Sequence, residues 1–87
     1  MITNGQTIIG QTPTLIDGLE VMPFRIRIHN DDNTADMYLG NASVTTSNGY
    51  LVLKQESIDL IINPLEALYA VSSQNGHKVS WLKQTEV

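Results

Sequence analysis

The chain of 87 residues predicts an all-β fold: a small β-sandwich or jelly-roll-like barrel of about eight short strands. Three observations predict it. Short runs rich in Val, Ile, Thr, Tyr and Leu recur along the chain. Within the clearest of these, apolar and polar residues alternate with a period of two. Between them stand Asn-Gly pairs at Asn4-Gly5, Asn48-Gly49 and Asn75-Gly76, residue types that tolerate the positive φ of tight turns.

Residues 6–10 and 12–16 read as the first two strands, with Pro13 at an edge or a bulge because it cannot donate to a ladder. Residues 23–30 form the third, opened by Pro23. Phe24, Ile26 and Ile28 fall on one face, and Arg25, Arg27 and His29 on the other. Residues 36–40 and 50–54 follow. Residues 57–62 alternate again, with Ile58, Leu60 and Ile62 inward and Asp59 outward. Next, Pro64 to Ala67 holds good helix formers. Pro64 suits a first helical position and Asn63 a cap, so one short helical turn is expected there. Residues 67–72 and 77–84 complete the set, and the last places Val79 and Trp81 on one face. Phe24, Tyr38, Tyr50, Tyr69 and Trp81 all lie in predicted strands, where packing is their first role.

A chain of this length is one domain, residues 1–87. Small domains bury about 60% of their unfolded surface, so the core is thin. The hydrophobic fraction of 41% is enough to fold. The net charge is −4, so phosphate-backbone binding is not expected. There is no cysteine, which excludes a disulfide scaffold, zinc-thiolate ligation and thiol catalysis. Leu60 to Val71 is the longest apolar stretch, broken by Asn63, Pro64 and Glu66, too short and too polar for a membrane-spanning helix. No basic region followed by an apolar run opens the chain, so a protein made in the cytoplasm is expected.

The sequence carries few signs of chemistry. Phosphate-loop, dinucleotide and zinc-protease motifs are absent, and no Ser sits in a nucleophile elbow. No catalytic residue, metal ligand or cofactor is therefore expected. His29 lies on the polar face of its strand, and His77, after Asn75-Gly76, reads as a solvated turn residue. The acidic run Asp31-Asp32-Asn33-Thr34-Ala35-Asp36 fails the calcium-loop order, with Asp36 where Gly is needed and Ala42 where Glu is needed. It reads first as a loop whose side chains bond their own backbone, with an irregular calcium site as the competing reading. Asn41-Ala42-Ser43 matches a glycosylation sequon and is expected to be unused without secretion.

The middle and end of the chain carry a resemblance. Tyr38-Leu39-Gly40 is followed by Val44-Thr45-Thr46-Ser47-Asn48-Gly49-Tyr50, Leu53, Glu56-Ser57-Ile58-Asp59 and Leu68-Tyr69-Ala70-Val71. Residues 24–82 thereby resemble small β-sandwich structural proteins of tailed bacteriophages, in which a Val-Thr segment ending in Gly-Tyr or Gly-Phe leads to a Gly-Glu-Ser turn and a Leu-Tyr-Ala strand. Gln55 stands where Gly often precedes the Glu, which puts the turn geometry there in question. The resemblance implies no catalytic residues. It implies a virion protein, foremost a capsid decoration protein that binds and stabilises the outer head shell. The partner would be the major capsid protein or another virion protein, and the chain a homo-oligomer, with a trimer favoured. A tail, collar or fibre-base adaptor and a stand-alone β-sandwich binding module are the alternatives.

The β-prone, nearly uncharged stretch from Thr7 to Ile16 has two readings. It is either the domain's own first strands or part of an N-terminal arm, residues 1–16, that adds to a partner's sheet edge. On the second reading Thr7, Ile8, Ile9, Gln11, Thr12 and Thr14 form the interaction surface.

Overall fold

A computed structural model describes residues 1–85. It contains eight strands: β1 (Ile2–Ile9), β2 (Thr14–Gly18), β3 (Phe24–Asn30), β4 (Met37–Gly40), β5 (Tyr50–Val52), β6 (Ser57–Ile62), β7 (Ala67–Ser72) and β8 (His77–Gln84). They form two four-stranded antiparallel sheets, ordered β1-β8-β3-β6 and β2-β7-β4-β5. The fold is the small β-sandwich that the alternation predicts.

The two inner faces make the core. Ile26 and Ile28 of β3 and Val79 of β8 meet Met37, Leu39 and Ala70 of the second sheet, all of them nearly or wholly buried. The period of two holds along β3, with Phe24, Ile26 and Ile28 buried and Arg25 and Arg27 exposed. Arg27 pairs with Asp59 on the neighbouring strand at 3.2 Å, across solvent. On β6 the inward residues Ile58 and Leu60 are only half-buried.

Three local expectations change. Asn4-Gly5 is not a turn: β1 runs through it, because Gly5 lies over the Trp81 indole, where a Cβ would stand 2.6 Å from Cζ2. The residues from Pro64 to Ala67 make no helical turn. Glu66 N donates to Asn63 O at 3.2 Å and Leu65 takes φ 65°, so Asn63–Glu66 is a type II β-turn with Pro64 in its favoured second place. Pro64 fixes a φ that suits either structure, and the close return of the chain into β7 selects the turn. The first sixteen residues are not an extended arm. β1 pairs with β8 over its whole length and β2 pairs with β7, with a bulge between Leu15 and Asp17.

The sandwich has two unlike ends. One gathers the turns 10–13, 31–36, 53–56 and 73–76, which are rich in Asp, Asn, Gln, Ser and Thr. The other gathers the N-terminus, the 19–23 loop, the 41–49 loop and the 63–66 turn.

Candidate functional site

The polar end spends its side chains on itself. Asp32 accepts from Thr34 N at 2.7 Å, Thr34 Oγ1 at 2.6 Å and Ala35 N at 3.1 Å. The Thr34 hydroxyl and then its amide hold the carboxyl down, at a pKa of about 2. Asp36 accepts from Lys54 N, and Asp31 from Ser80 Oγ. This is the self-bonding loop of the first reading. Among the described residues no three His, Cys, Asp or Glu side chains come together as a metal site.

Beneath that loop lies a buried polar row that the sequence reading missed. His77 is not a solvated turn residue. It is the first residue of β8, faces inward and is fully buried. Asn30 Nδ2 donates to Ala35 O at 3.1 Å and Val52 O at 3.2 Å, which fixes its Oδ1 as an acceptor. That oxygen takes Asp32 N at 3.0 Å and His77 Nε2–H at 2.7 Å. His77 Nδ1 is then the acceptor for the Ser72 hydroxyl at 2.8 Å, and Ser72 Oγ accepts Gln74 N at 3.2 Å. Every donor finds an acceptor when the imidazole is neutral. Burial lowers the His77 pKa below the usual value of 6.5, against the opposing pull of Asp32 and Asp36. A Ser-His-Asn row invites comparison with a hydrolase. Here Ser72 is 1% exposed and the imidazole holds its hydroxyl inside the fold, away from solvent. His29, by contrast, stands on the polar face as expected, bonded to Ser57 at 2.7 Å.

The opposite end differs in kind. Leu19, Val21, Met22 and Leu65 are 64%, 77%, 56% and 67% exposed, with Met1 beside them. Two loops present them, cross-linked by Leu19 N to Glu66 O and Leu65 N to Glu20 O, both 2.8 Å. Leu19 and Leu65 each sit at φ 65°, a left-handed conformation that costs a residue other than glycine roughly 1–2 kcal/mol. Gly18 permits the approach of the two loops, since a Cβ there would overlap Ala67. Lys83, on the inward row of β8, anchors the 19–23 loop from below. Its ammonium reaches Glu20 at 2.5 Å and Asp17 at 3.2 Å and lies 4.4 Å from the Phe24 ring centre. Desolvation opposes its charge, but the bonds to Glu20 and Asp17 win and raise its pKa above 10.5.

The six residues expected to form the interaction surface do not share one face. Ile9 is 2% exposed and belongs to the core, because the odd residues of β1 face inward. Thr7 is half-buried and accepts the Trp81 indole N–H, while Ile8 is exposed on the outer face. Gln11 donates to Ser73 O, and Thr14 Oγ1 to Thr12 O, in the polar end. Tyr38, Tyr50 and Trp81 do not line up as a platform either. Tyr38 is on the outer face of its sheet, whereas Tyr50, on the edge strand β5, and Trp81, on the interior strand β8, are on the inner faces of different sheets.

One edge of the sandwich is open. β5 is three residues long and covers little of β6. A groove of about 400 Å³ lies between them, lined by Leu39, Tyr50, Ile58, Leu60 and Leu68.

No family model and no curated protein matches the chain. A solved structure does, described as "Bacillus endospore appendages form a novel family of disulfide-linked pili". The TM-score is 0.65 with 9% identity, over 98% of this chain and 85% of that one. At that identity the likeness is one of fold, and this chain has no cysteine for a disulfide.

Proposed function

We propose that the protein is a structural component of a tailed-phage virion, foremost a head decoration protein that docks on the outer shell. It acts without catalysis, as a homo-oligomer, with the trimer still the favoured state, and its partner is the major capsid protein or another virion protein. The observation that carries the docking reading is the apolar end: Leu19, Val21, Met22 and Leu65 are exposed together on two strained, cross-linked loops. Strained backbone kept at an exposed apolar tip points to a use outside the molecule. The resemblance of residues 24–82 supplies the virion context, and the solved neighbour adds the fold alone.

The test is co-sedimentation of the purified protein with phage heads, with tails as the parallel sample. The variants are Leu19→Asn and Leu65→Asn. Asn accepts the left-handed conformation, so the loops survive while the apolar surface goes. Saturable binding to heads, lost in both variants at unchanged thermal stability, is the expected result. Binding to tails alone moves the protein to the tail or collar adaptor. Binding to neither returns it to a stand-alone binding module.

A further inference from the structure

We propose that copies of this chain join side by side, the β1 edge of one pairing with the β6 edge of the next, so that the sheet continues across the boundary. The proposal deepens the oligomer part of the reading above and rests on that part alone.

The polarity of the strands permits it. From β1 to β6 there are three antiparallel steps, β1 to β8, β8 to β3 and β3 to β6. The two outer strands therefore run in opposite directions. A second copy in the same orientation sets its β1 antiparallel to the first copy's β6. The other sheet has the same parity, with β2 and β5 outermost, so the same operation sets those two strands in opposite directions as well.

β1 lacks the features that protect an edge. It is eight residues long, Ile-Thr-Asn-Gly-Gln-Thr-Ile-Ile, with no charge and no proline, and its register with β8 runs unbroken from Ile2 to Ile9. Exposed edges in monomers are usually short, charged, bulged or covered. β2, the outer strand of the other sheet on the same side, does carry a bulge. The free backbone row of β1 is thus a template for another strand.

β6 supplies the complement. Its inward Ile58 and Leu60 are half-buried because β5 is too short to cover them, and the groove beside them is apolar. A neighbouring β1 would bring Thr3, Gly5 and Thr7 to that inward row. Its outward Ile2, Asn4, Gln6 and Ile8 would align with Ser57, Asp59 and Ile61. Ile2, Ile8 and Ile61 are 62%, 60% and 65% exposed and would be covered. The only charge on either strand is Asp59, already paired with Arg27, so no like charges meet. Pairing β1 with another β1 would leave the groove open, which is why the head-to-tail arrangement is assigned. Such an interface closes a ring or grows a fibre, according to the rotation between copies.

Two exposed positions test it. Lysine at a strand edge blocks pairing. Ile8→Lys disables the β1 edge and Ile61→Lys the β6 edge, and Leu82→Lys on the outer face of the interior strand β8 is the control. The readout is molar mass by light scattering after gel filtration, over a range of concentrations, with circular dichroism to confirm folding. The wild type and Leu82→Lys are expected to gain mass with concentration. Each edge variant alone should stay at the monomer mass of 9.6 kDa. A mixture of the two edge variants should form dimers and nothing larger, because one intact β1 meets one intact β6. A wild type that stays monomeric, an edge variant that still associates alone, or a mixture that stays monomeric would each overturn the proposal. Head binding is scored separately: its loss with mass growth intact ends the decoration reading and leaves this interface standing.

Discussion

Replacing Asn30 with Ala should be among the most damaging single changes in this protein. Its side chain makes four hydrogen bonds, to Ala35 O, Val52 O, Asp32 N and His77 Nε2–H. Ala supplies none of them, and Asn30 is 0% exposed, so water does not reach the site without opening the fold. A buried donor or acceptor left unpaired costs roughly 1–3 kcal/mol. The Asp32 amide and the loop carbonyls recover part of this by local movement, because the 31–36 loop is near the surface. A total of about 3–6 kcal/mol remains after that discount. At ~0.05–0.15 kcal/mol per residue a chain of this length has roughly 4–13 kcal/mol in all, so the variant should lose a large part of it. Urea unfolding followed by Trp81 fluorescence reads the effect, with circular dichroism to register outright unfolding. A midpoint shift equivalent to less than about 1 kcal/mol would refute the network as drawn, since a single surface hydrogen bond is worth that much.

Acidification should destabilise the protein in two stages. Native His77 holds its proton less tightly than the unfolded chain, so stability is complete above pH 6.5 and falls as the pH drops below it. Asp32 adds a second loss of the same sign between its unfolded value of 3.8 and its native value of about 2. Urea midpoints from neutral to acid pH should show both, and His77→Gln should flatten the first. Ile26→Ala, at 0% exposure, should cost about 3–5 kcal/mol, whereas Leu60→Ala at the open edge should cost about 1–2 kcal/mol; equal losses by urea unfolding would mean the edge is closed. Lys83→Met should lower the melting temperature at neutral pH, because Asp17 and Glu20 lose their shared cation. In the parent that contribution is present below pH 10.5 and fades as the pH rises through the raised Lys83 value.

The strands were legible because the alternation is strong where one face is buried. Phe24 to His29 and Ser57 to Ile62 are placed by their period alone, and β6, β7 and β8 begin and end as expected. What failed was local chemistry that depends on a partner distant in sequence. Asn4-Gly5 carries a turn signal, yet the glycine is needed because Trp81 lies beneath it. His77 follows a real turn, in which Gly76 takes φ 72°, but one step further along the alternation puts it inside. Its partners Asn30 and Ser72 end β3 and β7, and nothing in their spacing announces that three strand termini converge. A signal existed: Asn30, Ser72 and His77 each fall on the inward phase of their strands, where a polar residue needs a partner. The apolar end was illegible for a different reason. Leu19, Val21, Met22 and Leu65 lie in two short connections far apart in sequence, and only the fold sets them side by side.

Among the described residues, the three left-handed ones other than glycine, Leu19, Gln55 and Leu65, provide an internal comparison. Gln55 and Leu65 both occupy the third place of a four-residue turn, 53–56 and 63–66, each closed by a bond from the fourth residue's N–H to the first residue's carbonyl, at 3.1 and 3.2 Å. Glycine is the residue such a turn favours. Gln55 keeps the backbone conformation that glycine would take, which answers its departure from the phage pattern. It also returns something within the fold, since its side chain donates to Asp31 O at 3.2 Å and holds two loops of the polar end together. Leu65 returns nothing of the kind. Its side chain is two-thirds in solvent, and the backbone bond it donates would be made equally well by glycine. The same holds for Leu19. A conformation that costs roughly 1–2 kcal/mol, at two residues whose side chains stay about two-thirds in solvent, is what the docking proposal for this end rests on. The two ends thus differ in what their side chains do: those of the polar end brace the loops against one another, and those of the apolar end stand largely in solvent.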